Sequence, residues 1–142
     1  MISRTILCTI DFSDTSRQAL AWAIGIAQEL NMHLSILYTY RLIHAPGGNV
    51  VQLKKKLEEE ALQKFAQLEK DVLLGRLLSY DFKTEVGFMA DRIEDHTRQH
   101  PISFVVMDKN LGVSNKEMLD DLLEHIQAPL VIVPPVANPA LL

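Results

Sequence analysis

The chain has 142 residues, 48% of them hydrophobic and 23% charged, which is enough for one domain with a real core and too few for two ordinary domains. Its 14 basic and 18 acidic residues give a net charge of -4, so no basic excess exists to bind a polyanion, and nucleic acid is not expected as a partner. A single cysteine excludes a disulfide framework, and the apolar runs are too short to cross a membrane.

We therefore expect one domain over residues 1–142, with no membrane partner. The N-terminal sequence MISRTILCTIDFSD reaches acidic residues too early for a signal peptide, and the lone Cys8 fits a reducing compartment. These features predict a cytoplasmic location.

Short β-branched apolar segments alternate with helical patterns along the chain. Continuous apolar runs of this kind are typical of parallel strands that are covered on both faces. They predict strands in TILCTI (5–10), LSILYTY (34–40), FVVM (104–107) and LVIV (130–133). A fifth strand is expected in YDFKTEVGF (80–88), where charged residues alternate with Phe82, Thr84 and Val86. Cys8 falls inside the first strand and is expected to be a small core residue.

Four helices are predicted between these strands, over about 13–30, 51–74, 90–100 and 115–126. Ser13 can cap the first helix, and Asn31 can end it. The run KKKLEEE in the second helix is interpreted as a solvated face. The order β-α-β-α-β-α-β-α-β predicts an α/β fold with a parallel sheet and right-handed crossovers.

Ligands of such sheets normally bind at the carboxyl ends of the strands, where neighbouring connections diverge. This rule selects TIDFSD after the first strand, YTYR after the second and MDKNLGVSNKE after the fourth.

The segment ILCTIDFSDTSRQALAWAIGIAQELNMHLSILYTY, followed later by ISFVVMDKN and APLVIVPP, resembles the universal stress protein family over nearly the whole chain. The resemblance implies a three-layer α/β/α fold of the adenine nucleotide alpha hydrolase type, with a five-stranded sheet in the order 3-2-1-4-5. It also implies small cytoplasmic dimers that act in stress tolerance or regulation without an assigned reaction. The family has one branch that binds ATP and one that does not.

The ATP-binding branch carries Met, Gly, two residues, Gly, nine residues, and Gly followed by Ser or Thr. Met107 matches, but Asp108 stands at the first glycine and Leu111 at the second, with Gly112 beside it. The Gly-Ser pair falls near Lys116 and Glu117, and the loop is a few residues short.

Glycines let several N–H groups point at one phosphate, whereas Asp108 brings a carboxylate to the anion position. At about 4 Å two unit charges repel by roughly 1 to 4 kcal/mol near a protein surface. We therefore expect no ATP and no other cofactor.

The resemblance implies ligand-binding positions at Thr9, Ile10, Asp11, Met107 and Asp108, with the acid at Asp11 contacting the nucleoside part of a ligand. Alternatively, Asp11 or Ser13 simply satisfies free N–H groups at the start of the first helix. A third interpretation is that Asp11 and Asp108, at the ends of adjacent strands, hold a hydrated divalent cation or a cationic ligand.

No residue pattern predicts catalysis or a metal site. His96 and His100 have the i, i+4 spacing of helical metal ligands, but no third ligand accompanies them, and packing histidines are expected. The G-x-S-x-G nucleophile motif is absent. We expect a protein that is not an enzyme.

The favoured function is a cytoplasmic binding or regulatory module of the stress response, acting on a small molecule or a regulatory protein. The alternatives are an ATP-binding switch with slow ATPase activity and a small-molecule or cation site at Asp11 and Asp108.

The last predicted strand is expected to form a homodimer. Leu130, Val131, Ile132 and Val133 carry no charge, and an open apolar edge of this kind invites pairing with a second copy. Pro134 and Pro135 would end the pairing, because proline cannot donate to a ladder. The alternative is that the tail VANPALL covers this edge.

Overall fold

The computed structural model describes residues 4–43, 46–110 and 116–135, and it contains one five-stranded parallel sheet. The strand order is β3-β2-β1-β4-β5, which confirms the predicted fold. The strands are β1 (Thr5–Thr9), β2 (His33–Tyr40), β3 (Tyr80–Val86), β4 (Ile102–Asp108) and β5 (Leu130–Val133). The helices are α1 (Asp14–Leu30), α2 (Val50–Val72), α3 (Met89–Gln99) and α4 (Lys116–His125), with a short 3-10 turn at Pro46–Gly48.

Side chains of successive strand residues point to opposite faces of the sheet, and each face is covered by helices. On one face, Ile6, Cys8 and Val106 pack with α1 and α2 residues. On the other, Leu7 and Met107 pack with α3 and α4 residues. The result is three layers with a core on each side of the sheet.

The α1 helix begins and ends at the predicted residues. The Ser16 N–H donates to the Ser13 hydroxyl at 3.2 Å, and this bond satisfies one free donor of the first turn. Asn31 ends the helix in the left-handed conformation with a φ of 53°.

Strand β4 is longer than its apolar run suggests. The prediction covered residues 104–107, whereas β4 runs from Ile102 to Asp108. Thr5 of β1 pairs with Ile102 and Val133 of β5 pairs with Asp108, so backbone pairing with both neighbours extends the strand beyond its apolar run. Asp108 is consequently the last residue of a central strand.

Charges on the edge strand β3 are paired with histidines. Asp81 lies 2.8 Å from Nε2 of His33 on β2, and Glu85 lies 2.9 Å from Nε2 of His96 on α3. His96 is buried, as expected of a packing histidine, whereas His100 is exposed at the end of its helix. These contacts explain the alternation of charge along β3, since the acids on one face have partners.

Candidate functional site

The candidate site lies at the carboxyl ends of β1 and β4, which are neighbours in the sheet. Cys8 pairs with Val106 in the parallel register of these strands. The residues that follow, up to Asp11 on one strand and Asp108 on the other, therefore emerge at the same edge of the sheet. Strand β2 lies on the other side of β1, so the strand order reverses between β1 and β4, and the site lies at the carboxyl ends of these two strands.

The turn between β1 and α1 is closed by hydrogen bonds among its own polar side chains. The Asp11 N–H donates to the Ser16 hydroxyl at 3.0 Å. Oδ1 of Asp11 accepts from the Ser13 N–H at 3.0 Å and from the Ser13 hydroxyl at 2.5 Å. One carboxylate oxygen of Asp11 is therefore already used within the turn, as the capping interpretation predicts.

Phe12, in the middle of this turn, has a positive φ of 67°, which is uncommon for a residue with a side chain. Its ring packs on Tyr38 of β2 with the centroids 5.0 Å apart. The strained backbone turns the aromatic ring inward and leaves Asp11 exposed at the surface.

Lys109 and Asn110 directly after β4 are helical, and this turn is organised by Asp108, which is only 1% exposed. Its Oδ2 accepts the N–H of Asn110 at 3.1 Å. The Asn110 side-chain amide donates in turn to the Thr15 hydroxyl on α1 at 3.3 Å, which links the two turns. The Asp108 carboxylate thus accepts the backbone N–H that would otherwise be available to an anionic ligand.

The negative charge of Asp108 also acts on the core beneath it. Burial raises the pKa of Cys8 to about 12, and the nearby Asp108 carboxylate adds to this increase. Oδ1 of Asp108 and the Thr9 hydroxyl are buried and have no hydrogen-bond partner within residues 4–43, 46–110 and 116–135. A second anion brought to this turn would meet an existing buried charge.

A cavity of about 470 Å³ opens beside the β1–α1 turn, between α1 and α2. Its rim carries an ion pair between Arg17 and Asp71, and the Lys64 ammonium lies 5.9 Å from the centroid of the Phe12 ring. The wall includes Asp11, Phe12, Ser13, Asp14, Ser16, Gln67 and Leu68. Charges of both signs line it, so its chemistry suits a small polar ligand.

The five residues predicted to bind a ligand have different environments. Thr9, Ile10, Met107 and Asp108 are buried, and only Asp11 offers its side chain to solvent. Met107 packs into the core on the α3 and α4 side of the sheet. Residues 111–115, which include the compared Leu111 and Gly112, lie outside the described residues.

Several residues of this region were not singled out by the sequence analysis. Ser16 could have been found by local reasoning, since it lies five residues after Asp11 and serine side chains often hydrogen-bond nearby backbone groups in turns. Asn110, Lys64 and Asp71 had none, because their contacts join segments far apart in the chain.

The β5 edge adjoins an apolar groove of about 650 Å³ formed with α1. Trp22 lies in this groove with 38% of its surface exposed, next to Gly25 and Ile26 of the same helix. Residues Val131 to Pro134 form the opposite wall. All four residues of β5 are only partly buried. The tail residues 136–142, the alternative cover for this edge, lie outside the described residues.

The strand order and the helices on both faces of the sheet define a three-layer α/β/α domain. A family model described as "Universal stress protein family" matches residues 3–134, and the chain belongs to this family. No curated protein sequence matches the chain significantly.

Solved structures of the same fold share little sequence with this chain. The universal stress protein UspA from Lactobacillus plantarum is 21% identical, with a TM-score of 0.75, covering 94% of this chain and 99% of its own. A universal stress family protein from Burkholderia pseudomallei is 20% identical, with a TM-score of 0.72 and coverage of 92% and 96%. A universal stress protein solved in complex with cAMP is 17% identical, with a TM-score of 0.71 and coverage of 94% and 98%. At these identities the likeness shows the fold.

Among the described helices, none is both long enough and apolar enough to span a membrane.

Proposed function

We propose that this chain is a cytoplasmic binding or regulatory module of the stress response that does not use ATP and does not catalyse a reaction. Its family membership supports the stress-related role. The residues that line the site favour a small polar molecule or a regulatory protein as the partner.

The observation that carries the proposal is the hydrogen bond from the Asn110 N–H to the buried Asp108 carboxylate. In a phosphate-binding turn, backbone N–H groups point outward to an anion. Here the N–H of Asn110, two residues after the end of β4, is held by the carboxylate of Asp108. Binding of a triphosphate would break this bond and place further negative charge near Asp108, and both effects oppose binding.

A homodimer through β5 is part of the proposal. The β5 strand pairs with β4 on one side, and its side chains are only partly buried. Antiparallel pairing of two β5 strands about a two-fold axis would satisfy the free edge and cover part of the apolar groove beside Trp22.

Calorimetric titration with MgATP tests the loss of ATP binding. The purified protein is expected to carry no nucleotide and to release no binding heat at millimolar MgATP. Co-purified ATP, or a micromolar dissociation constant, would contradict the proposal.

A thermal-shift panel extends the test to smaller ligands. The panel includes cAMP, since a structural neighbour was solved with it, together with ADP, AMP, Mg²⁺ alone and common metabolites. A ligand at about 100 times its dissociation constant adds about 2.7 kcal/mol to the free energy of unfolding, which is easily measured as a shift in Tm. Cation binding that requires Asp11 and Asp108 would favour the cation alternative over the present proposal.

A further inference from the structure

A second group of chemically active side chains lies between α3 and α4. Glu94 belongs to α3, and Asp121 and His125 belong to α4. The i, i+4 spacing places Asp121 and His125 one turn apart on the same face of their helix. Ligand atoms of the three side chains lie within 4.8 Å of one another.

Glu94 is the buried member of this group. Its side chain is 15% exposed, and its Oε1 is buried and has no hydrogen-bond partner within the part of the chain that the structure describes. Burial raises the pKa of the Glu94 carboxyl, and the neighbouring Asp121 carboxylate raises it further. An oxygen that is removed from water without a donor carries an unfavourable desolvation energy, which a cation at this point would offset.

His125 lies beside both carboxylates. Its Nδ1 is 3.2 Å from Oδ1 of Asp121 and 3.8 Å from Oε1 of Glu94. In a tetrahedral zinc site with bonds of about 2.0 to 2.1 Å, neighbouring ligand atoms lie about 3.3 Å apart. The distance between His125 and Asp121 already matches, whereas the other two pairs, which lie within 4.8 Å, require the Glu94 side chain to move closer.

The geometry points to a binding site for a divalent transition-metal ion, of which Zn²⁺ is the representative, formed by Glu94, Asp121 and His125. Two carboxylates and an imidazole are a donor set for zinc and similar ions, whereas Ca²⁺ and Mg²⁺ prefer oxygen donors alone. Three protein ligands leave the fourth position of a tetrahedron open to water.

The imidazole has to give up one contact when it binds the metal. Nδ1 of His125 now lies 2.8 Å from the Asp121 carbonyl oxygen and donates to it. Ligation through Nδ1 requires the other neutral tautomer of the imidazole, so the proton moves from Nδ1 to Nε2 and the hydrogen bond to the Asp121 carbonyl is lost. The bound ion would join α3 to α4, and we expect it to stabilise the folded chain.

The experiment uses the full chain after treatment with a chelator. Titration with Zn²⁺ at mildly alkaline pH is followed by calorimetry, and titration with Co²⁺ is followed by its visible absorption, which distinguishes tetrahedral from octahedral coordination. We expect one saturable site per chain, a tetrahedral Co²⁺ spectrum and a rise in Tm with Zn²⁺.

Two variants change one ligand each: Glu94→Gln keeps the size of the side chain and removes its charge, and His125→Asn replaces the imidazole by a smaller polar amide. Each is expected to lower the Zn²⁺ affinity by about tenfold or more, since even the loss of an outer-shell partner commonly costs that much. Circular dichroism confirms that each variant is folded before titration.

The matched control is His100→Asn. His100 is also an exposed histidine, and its ring lies 5.7 Å from that of His96, the other member of the histidine pair with metal-ligand spacing. This variant is expected to bind Zn²⁺ like the parent chain. The proposal is overturned if no saturable binding occurs, if His100→Asn abolishes binding while Glu94→Gln does not, or if Mg²⁺ binds equally well without His125.

Discussion

The N–H of Asn110 donates to Oδ2 of Asp108 at 3.1 Å, so the turn after β4 closes on a carboxylate that belongs to the chain itself. Asp108 is buried against α1, and Asn110 reaches Thr15 at the start of that helix. The acid is therefore a structural part of the turn as well as a source of repulsion for a phosphate.

We predict that Asp108→Gly alone does not create ATP binding. The change removes the repulsion and frees the Asn110 N–H, but Lys116 and Glu117 still stand where ATP-binding relatives are expected to have glycine and a hydroxyl. Calorimetry with MgATP measures the outcome, and Asp108→Asn separates the effect of charge from that of the backbone. A micromolar dissociation constant in Asp108→Gly would show that the carboxylate alone blocks the nucleotide.

We predict that the Cys8 thiol does not react in the folded protein. Burial first, and the Asp108 charge second, hold its pKa at about 12, and thiol reagents attack the thiolate. Labelling with a thiol reagent at neutral pH should follow the rate of unfolding, while one thiol per chain reacts in denaturant. Rapid labelling of the folded chain would contradict the described burial.

We predict that Val131→Asp converts the proposed dimer to a monomer or an aggregating chain. The new charge would lie at the β5 edge and would be desolvated by the partner. Sedimentation at tens of micromolar measures the change. Val86→Asp, a similar substitution on the opposite edge strand β3, is the matched control and should leave the dimer intact. A wild-type chain that sediments as a monomer would refute the interface.

We predict that Asp81→Asn lowers stability at neutral pH and loses this effect in acid. Burial opposes ionisation of Asp81, but hydrogen bonds from His33 and Ser35 outweigh it, so the pKa of the carboxyl lies below its usual value. A lowered pKa in the folded state contributes stability above the unfolded value of about 3.9, and this contribution disappears as the pH falls through the folded value.

The Asp81 side chain is partly exposed, which limits the expected effect to about 1 kcal/mol or less. Urea unfolding of both proteins at neutral pH and below about pH 4 measures it. The exposed Asp120→Asn serves as the control. An equal loss of stability at both pH values would mean that packing, and not ionisation, is affected.

We predict that Asn31→Gly is nearly neutral and that Asn31→Ala costs about 1 kcal/mol of unfolding free energy. Asn31 has a φ of 53°, which glycine adopts freely and alanine does not. Urea unfolding measures the unfolding free energy of the two variants, of which only alanine has a Cβ that is strained at this positive φ. An equal effect in both variants would indicate that the Asn31 side chain matters more than its backbone conformation.

The fold could be predicted because its signals are local. Apolar runs such as TILCTI and a helix with a serine cap and an asparagine end depend on neighbouring residues, and the family resemblance supplied the strand order.

The site could be predicted only in part. The sequence indicated that Asp11 and Asp108 lie at the same edge, but not that one is exposed and the other buried. The partners of Glu94 lie 27 and 31 positions further along, and no local pattern shows that two helices bring them together. The pairing of Glu85 with His96 was missed for the same reason.

The two edge strands of the sheet differ in whether each could pair with a strand of another molecule. Among the described residues, the apolar edge strand β5 pairs only with β4, whereas the other edge strand, β3, carries Lys83 between two acids that contact histidines. A sheet that could add strands on both sides would extend from molecule to molecule into a fibre. In the proposed dimer the two β5 strands pair with each other about a two-fold axis, so assembly would stop at two chains, because no second apolar edge is left to pair with a third molecule.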